Sequence, residues 1–269
     1  MNNIVKVVFF LIFLNFISCK EGSGTDNKNA VSEPTTLQTY VNEGEEIIMN
    51  AIKAHGGEIY DTANYEFVFR DKIYGFNNKD GHTYRLNFKD SLGNIIEDYL
   101  KNGTFRRKVN DEVINLSKKD SAIHSNALNS VIYFATLPHK LKDKAVHKES
   151  VGETVIKGDD YDVVRVTFAK EGGGTDHDDI FMYWINKKSH YINYLAYSYS
   201  VNDGGVRFRS AYNPRTIDGI RFQDYINWAA PVGTDLKDLP SMFEKGDLKE
   251  LSRIETANVR NLNATEFAE

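Results

Sequence analysis

Cysteine is almost absent: Cys19 is the single one in 269 residues. That excludes an intramolecular disulfide, a CxxC redox pair and a zinc site built on cysteine. An excess of basic charge is missing too. Lys plus Arg number 33 against 38 Asp plus Glu, a net charge of −5, which argues against a nucleic-acid partner. No GxSxG elbow, HExxH, Walker loop or GxGxxG occurs, so the usual catalytic and phosphate-binding signatures are lacking. No cofactor is implied. There is no βαβ alternation and no repeat at solenoid or propeller period. Enzymatic function therefore has little support.

Long apolar runs are scarce as well. Met1 to Ser18 reads MNNIVKVVFFLIFLNFIS, one positive charge at Lys6 followed by an apolar stretch broken only by Asn15. This is the pattern of a secretory signal, and Val7 to Ile17 falls short of the roughly 20 apolar residues of a membrane span. The run ends at Ile17-Ser18-Cys19, which resembles a bacterial lipoprotein signal, with cleavage before a Cys that becomes lipidated. Phe16 departs from the Leu usual at its position. Acyl chains on Cys19 would anchor the protein to a membrane; the alternative is an ordinary signal peptide with an incidental Cys. The expected organisation is a signal peptide at 1–18, a polar tether at 19–38 carrying lipidated Cys19, and one domain at 39–269. Lys20-Glu21 resembles the surface-export signal of lipoproteins in the Bacteroides–flavobacteria group and favours the outer membrane.

From Thr39 the texture changes. Ile47, Ile48, Ala51, Ile52 and His55 share a helical face, stopped by Gly56-Gly57; the helix dipole accounts for His55 at its C-terminal end. About eleven Tyr-, Phe-, Val- and Ile-rich runs follow, from Tyr65–Arg70 to Leu251–Val259, separated by turns such as Asp80-Gly81, Asn102-Gly103 and Asp218-Gly219. The segment 121–137 carries no charged residue. Ile123, Ala127, Val131, Phe134 and Ala135 give it an apolar face. Asn126, Asn129, Ser130 and Tyr133 make a second stripe, polar but uncharged. A face turned to water normally carries Lys and Glu, so this one is expected to look at a cavity. The runs 180–185 and 191–197 are apolar on both faces, which requires cover on both. The expected fold is mainly antiparallel β with a few helices (α+β): a half-open β-barrel of about eleven strands with helices across its opening.

Two constellations suit chemistry. In Glu171-Gly172-Gly173-Gly174-Thr175-Asp176-His177-Asp178-Asp179, three carboxylates and an imidazole follow a flexible tip and suit a divalent cation or a metal-assisted hydrolase. The spacing matches no known metal loop, and a solvated acidic hairpin end is the favoured reading. The better binding candidate is the strand from Gly204 to Arg209. With a two-residue turn at Asp218-Gly219, Arg209 is expected opposite Trp228 and Asn213 opposite Asp224. Arg207, Arg209, Asp224 and Trp228 then share a face suited to an anionic or sugar headgroup. The same residues also suit a structural Arg209–Asp224 ion pair, and Pro214 is placed to shift the register.

The segments AIKAHGG (51–57), FVFRDKIY (67–74), NALNSVIYFATLPHKL (126–141), VTFAKEGGGTDHDDIFMYWI (166–185) and YLAYSYSVNDGGVRFRSAYNPRTIDGIRFQDYINW (194–228) resemble a family of uncharacterised envelope lipoproteins of the Bacteroides–flavobacteria group. The resemblance implies an architecture similar to the LolA/LolB lipoprotein-sorting proteins, with a cavity for acyl chains. It carries no catalytic residues. The expected function is a lipid-anchored envelope protein binding an apolar or acylated ligand, with Arg207, Arg209, Asp224, Trp228, Asn126, Asn129 and Tyr133 as candidate contacts. A partner-binding scaffold of the outer membrane is the other reading.

Overall fold

Turn chemistry sets the path of the chain. A computed structural model describes residues 42–79, 81–169, 179–200 and 203–263. Within them, Arg70-Asp71, Asn102-Gly103, Asn110-Asp111, Lys157-Gly158 and Asp218-Gly219 place both residues at positive φ. Such turns match the twist of the strands they join, so each closes a tight hairpin. The first series is β1 (Asn64–Phe69), β2 (Lys72–Asn77), β3 (Thr83–Lys89), β4 (Ile95–Lys101), β5 (Thr104–Val109) and β6 (Glu112–Ile114). The second is β7 (Val146–Ile156), β8 (Asp159–Phe168), β9 (Ile180–Asn186), β10 (Ile192–Tyr199), β11 (Gly205–Ile217), β12 (Ile220–Ala230) and β13 (Lys249–Ile254). Each forms an antiparallel meander. β14 (Ala257–Asn261) returns to pair with β1, giving two seven-stranded sheets.

The fold is thus mainly antiparallel β with few helices, as expected, but its strands form two sheets and no closed barrel, and the described strands number fourteen rather than about eleven. The difference has a cause. β6 is the edge strand of the first sheet and reads EVI, too short and polar to stand out as a hydrophobic run. The run Leu251–Val259 is two strands. The chain leaves the second sheet after Ile254 and enters the first at Ala257. Asp224, 2% exposed, pins this crossing: it accepts from Thr256 N (3.0 Å), Arg215 Nη2 (3.1 Å) and Asn213 Nδ2 (2.7 Å).

Helix α1 (Glu43–Ala54) is capped by Asn42 and buries Ile48, Ala51 and Ile52 against Val164, Tyr183 and Ile185. His55, at its end, is buried. Its Nδ1 meets the Ala51 carbonyl at 2.8 Å, and desolvation lowers its pKa to about 4. The ring is neutral, so the dipole attraction expected for a charged His55 does not operate there.

Helix α2 (Lys118–Ala135) joins the two meanders. Ser117 caps it, taking the Asp120 N–H at 3.1 Å. Its buried edge is Leu128 and Ile132, packed on Phe67, Phe76 and Leu100 of the first sheet. Ile123, expected on the apolar face, is 53% exposed. The true edge follows an i, i+4 pair one step round the helix. Arg107 supplies a second fastening, holding buried Asp98 through Nε (2.6 Å) and Nη2 (2.7 Å) and reaching His124 Nε2 from Nη1 at 2.9 Å.

The doubly apolar strands have both faces covered. Tyr183, Ile185 and Leu195 face α1. Trp184, Tyr194 and Phe208 pack with Leu239 and Phe243 of helix α3 (Leu239–Lys245). Burying each such ring contributes about 1.5–3 kcal/mol, so α3 is a structural cover for the second sheet. Among the described residues no helix is long and apolar enough to cross a membrane.

Candidate functional site

A cavity of about 450 Å³ opens between α2 and the two sheets. Strand alternation supplies its aromatic walls, because residues two apart project to the same face. Phe67 and Phe69 come from β1, Phe168 and Phe181 from β8 and β9, Tyr197 and Tyr199 from β10, and Tyr225 from β12. Ile254 and Thr256, flanking the crossing between sheets, complete the rim. From α2 come Asn126, Asn129 and Ser130, which are exposed, and Tyr133 and Phe134, which are half-buried. The uncharged stripe of the helix does line a cavity, with its amides outermost and its tyrosine innermost.

Two polar features lie among the rings. Tyr133 meets Tyr183 hydroxyl to hydroxyl at 2.9 Å, and burial pushes both phenols above their ordinary range. The second is Arg209. Only 7% of it is exposed, and its guanidinium stacks 3.8 Å above the Phe134 ring and 5.2 Å from the Tyr197 ring. Nη2 donates to the Tyr197 hydroxyl at 3.0 Å, while Nε and Nη1 are buried with no acceptor. These two atoms carry three of the five N–H donors of a guanidinium. A buried charge with donors unfilled costs several kcal/mol, which flanking rings offset only in part.

The other predicted residues lie elsewhere. A bulge at Asn213-Pro214, with Asn213 at φ 48°, shifts the β11–β12 register by one. Arg209 therefore pairs with Asn227, and Trp228 pairs with Phe208. A one-residue slip reverses the face, so Trp228 packs on Phe243 of α3 and donates Nε1–H to Ser210 Oγ at 3.0 Å. Asp224 binds Arg215, not Arg209, so the expected Arg209–Asp224 pair is replaced by Arg215–Asp224. Arg207 stands outside the lining, donating to the Tyr199 hydroxyl at 2.6 Å. Tyr199 in turn lies across Gly205, where any Cβ would run into its ring.

Glu171 to Asp178 and Cys19 lie outside the described residues, and Asp179 lines the cavity. Among the described residues no three His, Cys, Asp or Glu side chains gather to hold a metal ion. Sequence reasoning missed Phe67, Phe181, Tyr197 and Tyr225 as wall residues. For Phe67, Phe181 and Tyr197 the i, i+2 spacing with other aromatics was the available signal; Tyr225, between Gln223 and Asn227, had none.

No curated protein matches the chain. Similar solved structures include a LolA superfamily protein from Nitrosomonas europaea (11% identity, TM-score 0.48, covering 84% of this chain and 97% of that one). A DUF1329 family protein from Desulfovibrio piger is similar at 13% identity and TM-score 0.44, covering 82% of this chain and 94% of that one. A putative outer membrane lipoprotein-sorting protein domain from Vibrio parahaemolyticus follows at 9% and 0.42, covering 81% and 93%. Likeness so distant assigns neither ligand nor partner. The sequence match is firmer: the model of a family of unknown function, DUF6503, spans residues 41–256, and the chain belongs to that family.

Proposed function

We propose that this protein is a lipid-anchored envelope protein that binds an apolar or acylated ligand in the cavity beneath α2, as a carrier or binding module. The observation that carries the reading is the cavity itself: about 450 Å³, walled by aromatic rings, with a few placed polar groups. That is the ordinary make-up of a small-molecule site. The charged leader, its apolar run and Cys19 support export and anchoring, and Lys20-Glu21 supports the outer membrane of the Bacteroides–flavobacteria group.

The test is lipid mass spectrometry on the full-length protein released in mild detergent, beside Ser130→Trp, which fills the cavity mouth. One equivalent of a co-purifying amphiphile in the wild type and none in the variant is expected. A wild type that carries no more lipid than the variant overturns the reading. Intact mass settles the anchor: an unmodified Cys19 removes it.

A further inference from the structure

Granted a ligand in this cavity, we infer that it is a free, single-chain carboxylic acid, held with its carboxylate inward against Arg209. The position of the charge fixes the orientation. Arg209 is 7% exposed, whereas Asn126, Asn129 and Ser130 sit exposed at the mouth. An acid that meets Arg209 places its head beside Phe134 and Tyr197 and leaves its tail to the other walls, Phe67 and Phe69 among them. An ester or amide at the same carbon would bury its substituent beside the guanidinium and present no negative charge to it.

Charge narrows the class further. Arg209 is buried with the N–H groups of Nε and Nη1 unfilled; a carboxylate oxygen takes a charge-assisted hydrogen bond from one of them, and its second oxygen meets the N–H of Nη2 that the Tyr197 contact leaves over. Among the described lining residues the other charged groups are Arg70 and Asp179, which cancel formally. The remaining unit charge suits a monoanion better than a phosphate monoester carrying about −1.5 to −2. Volume limits the tail. A methylene takes up about as much space as a water molecule, about 30 Å³. A cavity of about 450 Å³ therefore holds one chain of roughly fifteen heavy atoms, and not the two or three chains of a diacyl lipid or a lipoprotein anchor.

The experiment is displacement of the neutral dye N-phenyl-1-naphthylamine from the full-length protein by dodecanoic acid, methyl dodecanoate or dodecyl phosphate. It is repeated on Arg209→Met, with the melting temperature read in parallel. On the wild type the acid should compete at least about tenfold better than either other compound, and Arg209→Met should bring acid and ester level. Equal competition by acid and ester on the wild type overturns the inference and leaves the proposed function standing. So does an acid preference that survives in folded Arg209→Met. Stronger competition by dodecyl phosphate overturns the carboxylate in favour of a phosphate. Failure of the dye and of all three compounds to bind the wild type overturns the proposed function and this inference together.

Discussion

Arg209→Met should make the ligand-free protein more stable. The wild-type side chain is buried with Nε and Nη1 unfilled. Each unsatisfied buried donor costs about 1–3 kcal/mol, and the desolvated charge adds more. Against that stand the Tyr197 hydrogen bond and two ring contacts, each of the rings contributing about 0.5–2 kcal/mol. Methionine fills a similar space, keeps contact with Phe134, and recovers part of the aromatic term through its sulfur. Replacing buried ions by apolar side chains is neutral to stabilising by about 1–4 kcal/mol, so a gain of about 2 is expected. For a domain of this size that raises Tm by roughly 4–8 °C. The assay is thermal and urea denaturation of delipidated protein, then the same with dodecanoic acid. At about a hundred times the wild-type Kd the acid adds about 2.7 kcal/mol to the wild type and about 1.4 kcal/mol to a variant that binds it tenfold more weakly, so the gap narrows to about 0.7 kcal/mol. If ligand-free Arg209→Met is less stable than the wild type by about 1 kcal/mol or more, the guanidinium is satisfied in solution and the reasoning fails.

Asp224→Ala removes the shared acceptor of Asn213, Arg215 and the Thr256 N–H, while Arg215 keeps the Asn213 and Thr256 carbonyls; equilibrium urea unfolding should show a loss of about 2–3 kcal/mol. Tyr133→Phe leaves the fully buried Tyr183 hydroxyl without its partner and should cost about 1–3 kcal/mol, whereas the double change with Tyr183→Phe should cost less than the sum, read in a double-mutant cycle. Acid should weaken the fold through His55 and His139, both buried with pKa lowered from 6.5 to about 4 by desolvation. The unfolded chain takes up these protons as pH falls below about 6.5 and the native state does not until about 4, so stability is lost across that window by on the order of 3 kcal/mol per ring. Urea midpoints at pH 7.5 and 4.5 check this, and His139→Phe, which keeps the stack on Tyr60, should lose part of the difference.

The face of α2 that lines the cavity was readable because seventeen residues without a charge are incompatible with bulk water on that side. Arg209 was readable as a residue and misread in its company. One extra residue at Asn213-Pro214 reverses which side chains of β12 it meets, and no periodicity reports a bulge. That one slip explains both Trp228 and Asp224. The doubly apolar β9 and β10 announced cover on both faces, yet not that α3 supplies one of them, because a helix of seven residues has little pattern to read. β6 has little pattern for another reason: a three-residue edge strand in water needs few apolar residues.

The crossing at Thr256 also sets an order of assembly. Five tight turns let most neighbouring strands find each other locally. β1 is different, since its Tyr65 pairs with Asn261, 196 positions later. A chain that emerges from its N-terminal side can build both meanders up to β12 and still lack the Thr256 contact to Asp224, the Ile254 and Thr256 part of the cavity lining and the outer edge of the first sheet. Closure of that edge joins the two ends of the domain, the kind of pairing whose loop-closure entropy is largest. On the proposed function, ligand capture is thereby tied to the crossing: without the 254–261 segment the aromatic strands face an unfinished pocket.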